Sequence, residues 1–464
     1  MRLKSISVEG LFGIFNHELP LQNQDRVTIM HGPNGFGKTA MLRMIAAVAQ
    51  GDIAFFERTP FSEFRLLLED NTRRIVRRTV EKRSRNSVGG RSGRIAGRST
   101  TSVKLRFFIQ DRDGKLSETT PQIVSTDLPQ AVLANIDQYV PGPYRLAGDG
   151  WVDDVGDHYS LNEILEKFPR AANALPREYR KLFPDNLPPV FFVETNRLGG
   201  QVRSEENIDH YLEREVRYPT RANTGPGPHR VEEYSQDIAQ RIGSVLAEYG
   251  KHSQERDRTF PERLVRFMRE RSRALSERKI LTRMDELENK RKRLISLGLL
   301  ESERGLSDLT EDDISRAPEA LTIYVADVEE KLRVFDDLAQ RIGSLIDIVN
   351  SRFRYKHLSL DRDRGFRIFS DLNQLIQLTD LSSGEQHELV LLYELLFRVP
   401  KNALVLVDEP EISLHVAWQS RFLLDLINIV GLSESYAIVA THSPVIIGNR
   451  RDLTVELKGP ETKE

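Results

Sequence analysis

The sequence predicts an α/β fold, and three stretches carry that prediction. The first is a short β-prone run, Arg26-Val27-Thr28-Ile29-Met30, which leads into Gly32-Pro33-Asn34-Gly35-Phe36-Gly37-Lys38-Thr39 and then into a helix former from Ala40 to Val48. The other two, Ala403 to Val407 and Tyr436 to Thr441, are continuous apolar runs, as expected of parallel strands buried on both faces. Strand, glycine loop and helix in that order aim a helix N-terminus at an anion.

Gly32 to Thr39 fits the pattern G-x-x-x-x-G-K-[ST], in which backbone N–H groups wrap phosphates and glycine supplies torsions that other residues resist. Lys38 is placed to reach the β- and γ-phosphates of ATP, and the Thr39 hydroxyl to bind Mg2+. The bland alternative is a glycine-rich turn, and the strand and helix on either side argue against it. Asp408 ends the apolar run 403–407 and suits a Mg2+ contact through water; Glu409 suits a general base that polarises the attacking water. By itself such a pair is often a surface turn, and the phosphate loop in the same chain shifts the balance. His442 follows the run 436–441 at a strand's carboxyl end, where open α/β sheets bind ligands, so its imidazole can hydrogen-bond the γ-phosphate.

Ser382, Ser383 and Gly384 precede a helical stretch from Glu385 to Arg398 that stops before Pro400. Serine is a good N-cap, so this is at least a helix start. It is also a second helix N-terminus able to meet a γ-phosphate. The phosphate loop already takes one such terminus in each chain, so a second makes most sense supplied in trans by another copy.

The chain has 464 residues, 39% of them hydrophobic and 29% charged, which allows two or three domains with long solvated helices. The absence of cysteine excludes disulfides and thiolate metal sites and agrees with a reducing cytoplasm. No secretory pattern or long apolar run is present, so neither export nor a membrane partner is expected. Although the net charge is only −2, the charge is unevenly spread. Between Arg73 and Arg106, Glu81 is the one acidic residue among many Arg and Lys, and the middle is rich in Ser and Gly. Residues 74–80 and 102–109 read as strands joined by a basic loop suited to nucleic-acid phosphates; a solvated loop is the plain alternative. From Phe260 to Asn350, Ile280, Met284, Leu287, Leu294 and Leu297, then Leu321, Val325, Val328, Leu332, Phe335, Leu338, Ile342 and Ile346, recur at helical steps. They predict an antiparallel helical hairpin, either docking a neighbour or folded onto its own domain. Between about 110 and 251 only loop signals stand out, at Pro141-Gly142-Pro143 and Gly225-Pro226-Gly227-Pro228.

The order Walker A, Leu381-Ser382-Ser383-Gly384-Glu385-Gln386, Walker B, His442 resembles the ABC-type ATPase head, and the wide spacing resembles its SMC, RecF and OLD branch. Asp408-Glu409-Pro410-Glu411-Ile412-Ser413-Leu414-His415, with Trp418-Gln419, is similar to the OLD-like group. Residues 190–198 and 253–261 resemble small anti-phage ATPases of the PtuA kind. The resemblance implies a mixed or parallel sheet with helices, split by a long insertion holding the hairpin. Segment 1–255 would be the first part of the head with the basic loop 73–106 and a middle insertion, 256–349 the hairpin, and 350–464 the second part. It implies ATP and Mg2+ as ligands, with Ser382 to Glu385 closing on a neighbour's nucleotide in a homodimer and higher assembly left open. OLD nucleases continue into a Toprim domain, whereas this sequence stops about twenty residues after His442. A separate HNH-type nuclease, as in Septu or retron defence systems, is therefore the implied partner. A RecF- or SMC-like repair or chromosome-maintenance ATPase is the alternative. The ten histidines form no H-E-x-x-H or paired-ligand spacing, so intrinsic cleavage of DNA is not expected.

Overall fold

The structure, a computed structural model, describes residues 2–21, 25–83, 100–123, 130–148, 150–159, 161–168, 171, 174–175, 180–183, 187–194, 228–270, 273–301, 311–412 and 414–459. It divides into two compact units, one of Met1–Thr195, Val399–Ile412 and Gln419–Glu464, the other of Asn196–Arg398 and Ser413–Trp418.

The chain opens with strands β1 (Leu3–Leu11) and β2 (Phe15–Pro20), β3 (Val27–His31), then helices α1 (Lys38–Gln50) and α2 (Ile53–Arg58). Strands β4 (Glu63–Leu68), β5 (Arg73–Arg83), β6 (Thr100–Gln110) and β7 (Leu116–Thr119) follow. β1, β2 and β4 to β7 form an antiparallel sheet in the order β2-β1-β4-β5-β6-β7. β5 and β6 pair from Arg73 opposite Gln110 to Arg83 opposite Thr100, so strands lie where the basic block predicts them. The predicted loop tip, residues 84–99, falls outside the described residues.

A small module comes next. It contains β8 (Gln122–Ile123), α3 (Gln130–Asp137), β9 (Arg145–Ala147), β10 (Gly150–Val152), β11 (His158–Tyr159), α4 (Leu161–Lys167) and β12 (Arg180–Lys181), and β13 (Val190–Glu194) ends this stretch. Fully buried Trp151 fills the module's core, and its indole N–H donates to Asp137 at 2.7 Å, so the one polar atom of the ring is satisfied.

The second unit begins with α5 (Pro228–Arg269), 42 residues long, then α6 (Glu277–Ser296), α7 (Glu311–Arg316), α8 (Pro318–Arg333) and α9 (Asp336–Arg352). The apolar period predicts two helices here, whereas the chain forms these five, and position 256 lies inside α5. The reason is local. α5 shows helical spacing only in its first turns, where Val231, Tyr234, Ile238 and Ile242 are buried; further along it is mainly charged. Arg263 in that charged half grips buried Asp327 of α8 through both guanidinium nitrogens, a contact invisible to periodicity. The second apolar run is broken between α8 and α9 at Val334-Phe335, with Phe335 fully buried. Strands β14 (Lys356–Asp361), β15 (Gly365–Ser370) and β16 (Leu375–Ile376) form an antiparallel sheet, and α10 (Ser383–Tyr393) runs into a π-helical turn, Glu394–Arg398. Gly365 has φ +74°, and a Cβ there would meet the Ser235 carbonyl oxygen at 1.9 Å, so only glycine lets α5 and β15 approach this closely.

The chain then returns to the first unit with β17 (Leu404–Asp408), α11 (Val416–Leu432), which joins that unit from Gln419 on, β18 (Tyr436–Thr441), the short α12 (Pro444–Ile447) and β19 (Thr454–Glu456). All joins in the sheet β13-β17-β18-β3-β19 are parallel. Four consecutive residues in each of β3 and β17, and five in β18, are buried, matching the unbroken apolar runs that mark them in the sequence. Ile6, Val8 and Phe64 of the antiparallel sheet, Met41, Leu42 and Ile45 of α1, and Leu404, Leu406, Ile438 and Ala440 of the parallel sheet share one core. The protein is a mixed α/β structure with a parallel sheet.

Candidate nucleotide site

Register decides where the site forms. Thr441 of β18 pairs with His31 of β3, and Asp408 of β17 pairs with Ala440 of β18, so the three strands finish level. The segments after them, 32–37, 409–412 and 442–443, leave the same sheet edge. This is the edge where open parallel sheets hold ligands.

The glycine segment is shaped by two positive torsions, φ +85° at Gly35 and +86° at Gly37, and Gly37 is the N-cap of α1. A Cβ at Gly37 would stand 2.5 Å from Leu11 Cδ2, so both torsion and space require glycine. His17 supports the loop from β2, with its Nε2 2.8 Å from the Phe36 carbonyl oxygen. That acceptor requires the proton on Nε2, and burial pushes the His17 pKa below its usual value, which favours the neutral ring. Phe15 lies against both Phe36 and His17, at ring separations of 5.4 and 5.5 Å. Sequence reasoning missed His17; only its alternation with Phe15 on a half-buried strand hinted that it points inward.

Lys38 is only 5% exposed. Its ammonium donates to the Gly32 carbonyl at 2.8 Å and the Pro33 carbonyl at 3.3 Å, and lies 3.5 Å from Glu409 Oε1. The Thr39 hydroxyl donates to Asp408 Oδ1 at 3.1 Å. The other oxygen of Glu409, Oε2, is 2.5 Å from His442 Nδ1, and Glu411 Oε1 is 3.1 Å from the same nitrogen. Two carboxylates face Nδ1, so that nitrogen carries its proton. Glu409 thus spans a lysine on one side and an imidazole on the other. It does so from a left-handed backbone, φ +47°, a conformation costing a non-glycine residue roughly 1–2 kcal/mol. The structure therefore brings Lys38, Thr39, Asp408, Glu409 and His442 together from positions up to 404 apart in the chain, the difference between 442 and 38. It adds Glu411, which sequence reasoning quoted in a motif without giving it a part.

Among the described residues, Glu409, Glu411 and His442 are the group whose ligand atoms, all within 4.8 Å of one another, could hold a metal ion. Thr39 Oγ1 and Asp408 Oδ1 are a second, oxygen-only pair of the hard type that Mg2+ takes. Desolvation holds the Asp408 carboxyl above the usual carboxylate range, with Glu409 pushing the same way and Thr39, Arg43 and Lys38 opposing.

Ser382 to Glu385 belong to the second unit. Ser382 is the N-cap of α10, and its hydroxyl accepts from Glu385 N while Glu385 Oε2 accepts from Ser382 N, a reciprocal capping box. Lys356 of β14 holds Glu385 at 2.9 Å through both carboxylate oxygens, and this pairing, with hydrogen bonds from Ser382, keeps the Glu385 pKa low against its desolvation. Ser382 and Ser383 remain exposed, and a Cβ on Gly384 would meet nothing within 4 Å. In the basic block, Arg73 donates to Gln110, Arg77 to Glu63 and Arg78 to the Glu57 carbonyl, and Arg74 is buried. These four arginines are engaged within the sheet, while Lys104 and Arg106 of β6 stay exposed.

A five-stranded parallel sheet with a glycine phosphate loop and a facing Asp-Glu pair defines an α/β ATPase domain. The family described as "AAA domain, putative AbiEii toxin, Type IV TA system" matches residues 152–448, more than half of the sequence, and the chain belongs to that family. The match takes in Ser382 to Glu385, Asp408, Glu409 and His442 and begins after the phosphate loop. Protein ea59 of Escherichia phage lambda is 37% identical over 90 residues, which cover 19% of this chain and 17% of that protein's length. Two solved structures are similar in outline. One is the Smc head domain with an extended coiled coil bound to the C-terminal domain of ScpA, from Pyrococcus furiosus, at 13% identity and TM-score 0.33, covering 99% of this chain and 94% of that one. The other is the SmcHead bound to the C-winged helix domain of ScpA, at 12% identity and TM-score 0.32, covering 97% and 92%. Scores at this level assign nothing; the family match and the site geometry do. Among the described residues, no helix is long and apolar enough to cross a membrane.

The raised pKa of Asp408 has a measurable consequence. Below about pH 4 the carboxyl is protonated both folded and unfolded and contributes nothing. Above its raised folded pKa, a desolvated charge costs stability that an amide would not. In nucleotide- and metal-free protein, Asp408→Asn is expected to melt above wild type at pH 7 to 8, the gap closing as the pH falls towards about 4. A lower melting temperature for the variant at neutral pH would contradict the desolvation of this carboxylate.

Proposed function

We propose that the chain binds and hydrolyses Mg2+-ATP between two copies of itself. The observation that carries this reading is the convergence of Lys38, Thr39, Asp408, Glu409 and His442 at one sheet edge beside the N-terminus of α1. The backbone of 32–38 and the Lys38 ammonium would hold the β- and γ-phosphates, and Thr39 with Asp408 would hold Mg2+. Mg2+ supplies neutralisation of phosphate charge. Lys38 and His442 occupy the two oxygens of Glu409. When Lys38 turns to a phosphate oxygen, Oε1 is released and Glu409 can accept a proton from water. His442, held beside that base, would offer its imidazole to the γ-phosphate.

The capped, exposed start of α10 supports a second anion contact given to a neighbouring copy, with Ser382, Ser383 and Gly384 presenting the helix N-terminus. On this reading the ATP-bound form is a homodimer that acts as sensor and scaffold for a separate HNH-type nuclease in antiviral defence. Support for the partner is the similarity of residues 190–198 and 253–261 to PtuA-like ATPases. The arginines of 83–98 give it a nucleic-acid contact.

Lys38→Ala is expected to abolish ATP binding, because it removes a buried cation, while Glu409→Gln binds ATP with near wild-type affinity and loses phosphate release by about 100-fold. Equilibrium binding of a fluorescent ATP analogue and a phosphate-release assay decide both. Wild-type affinity in Lys38→Ala would sink the phosphate-loop reading.

Ser383→Arg puts bulk and charge on the exposed start of α10. It should leave ATP binding by the single chain intact and block the association that a non-hydrolysable analogue induces, as read by sedimentation velocity. Wild-type association in this variant would remove the trans site.

Alone, the chain is expected to bind DNA or RNA more weakly as salt rises, and replacing Arg83, Arg85, Arg91, Arg94 and Arg98 with Ser should flatten that dependence. It should leave plasmid and RNA uncut with Mg2+ and any nucleotide. An unchanged salt slope would count against the basic segment, and cleavage lost in Lys38→Ala would count against a separate nuclease.

A further inference from the structure

We propose that Glu411 is a positioning residue that aims His442 at the reacting phosphate; the inference rests on the ATPase reading of the site. His442 follows directly on β18, and its side chain is 49% exposed, so packing does little to orient the ring. What holds it comes from the neighbouring strand. Glu411 lies in the 3-10 turn Pro410–Ile412 just past β17, and its side chain is only 8% exposed. A single oxygen, Oε1, accepts from the Thr441 hydroxyl at 2.6 Å, from His442 N at 3.0 Å and from Ser443 N at 3.2 Å, and lies 3.1 Å from His442 Nδ1.

These contacts tie three consecutive residues and one ring to one atom. An ionised carboxylate is an acceptor only, and its hydrogen bonds are shorter and stronger than those of neutral acceptors. The turn that carries Glu411 is anchored in its own right, since Gln419 Nε2 donates to the Glu411 carbonyl at 3.1 Å and Ser443 Oγ contacts Gln419 Oε1 at 3.4 Å. Glu409, two residues earlier, therefore shares a rigid segment with the group that fixes His442. The distance from the base to the imidazole is set by Glu411 through the backbone on both sides, and Glu411 itself touches neither Lys38 nor the phosphate loop among the described contacts. Its task is geometric and is carried by Oε1; among the described contacts the buried Oε2 has no hydrogen-bond partner.

Four variants test this, read first by ATP turnover and binding and second by a histidine signal. Glu411→Ala should lower kcat for ATP by about tenfold or more while the Kd for ATP stays within about threefold, because misplacing a group near the reaction slows chemistry more than binding. Glu411→Gln keeps a carbonyl oxygen for the same donors and should recover most of that loss. In the double variant Glu411→Ala/His442→Ala, kcat should match His442→Ala alone, because two residues acting through one ring are not additive. The second readout needs no turnover. In protein labelled at histidine Cε1, the His442 signal, identified by its loss in His442→Ala, should shift or broaden in Glu411→Ala and return in Glu411→Gln. Additive losses, equal losses in the Ala and Gln variants, loss of ATP binding in Glu411→Ala, or an unmoved His442 signal would each overturn the proposal. A wild type that binds ATP without hydrolysing it would instead remove the catalytic reading of the site, and the histidine signal would still decide what Glu411 holds.

Discussion

The level ending of β3, β17 and β18 is the constraint on which the site depends. A parallel sheet spaces neighbouring strands by about 5 Å, so groups leaving adjacent strand ends at the same height can hydrogen-bond without long loops. Here that spacing brings Glu409 to His442, and the Glu409 N–H donates to the Ala440 carbonyl at 2.8 Å, stitching β17 to β18 at their tips, while the loop 32–37 carries Thr39 past β18 to Asp408. A slip of one residue in either pairing would carry Asp408 or His442 away by a full strand step and turn it to the other face of the sheet. The apolar stretches Leu404 to Val407 and Ala437 to Thr441, buried throughout, make such a slip expensive.

Acidic groups outnumber basic ones at that edge, and each is given its own partners. Three carboxylates, Asp408, Glu409 and Glu411, are packed with one lysine and one imidazole. Each finds a different solution. Asp408 takes a hydroxyl, Glu409 divides its oxygens between Lys38 and His442, and Glu411 draws on backbone N–H groups and the Thr441 hydroxyl. Desolvation raises the pKa of Asp408 even so, with Glu409 pushing the same way and the Thr39 hydroxyl opposing. Cations and metal ions that approach the edge meet acceptors already held in place.

In the second unit the helix that begins at Ser383 sits on a polar network. Buried Glu388 pairs with buried Arg352 of α9, Tyr393 donates to Asp237 of α5, and Tyr234 donates to Glu394 at 2.8 Å. Burial and the facing carboxylates push both tyrosine pKa values up, so these phenols remain donors. Such networks specify one arrangement, since removing one partner strands a charge or a polar group in the interior. The start of α10 is therefore exposed at its tip and tied down along its length to α5 and α9.

The sequence alone determined the parallel-strand character of 404–407 and 437–441, the glycine turn of 32–37, and the helix start at Ser382. In each case the information is local: unbroken burial demands an unbroken apolar run, and a left-handed torsion demands glycine. Lys38, Thr39, Asp408, Glu409 and His442 were legible for the same reason, each standing directly at the end of such an element. The tertiary structure decided what no local pattern encodes. His17 props the phosphate loop through a contact to Phe36 made possible by the pairing of β1 with β2, and Glu411 reaches residues 441–443 only because β17 and β18 are neighbours. The length of α5 was hidden as well, because beyond Ile242 it is held by ion pairs such as Arg263 with Asp327, and ion pairs between distant residues leave no period in a sequence.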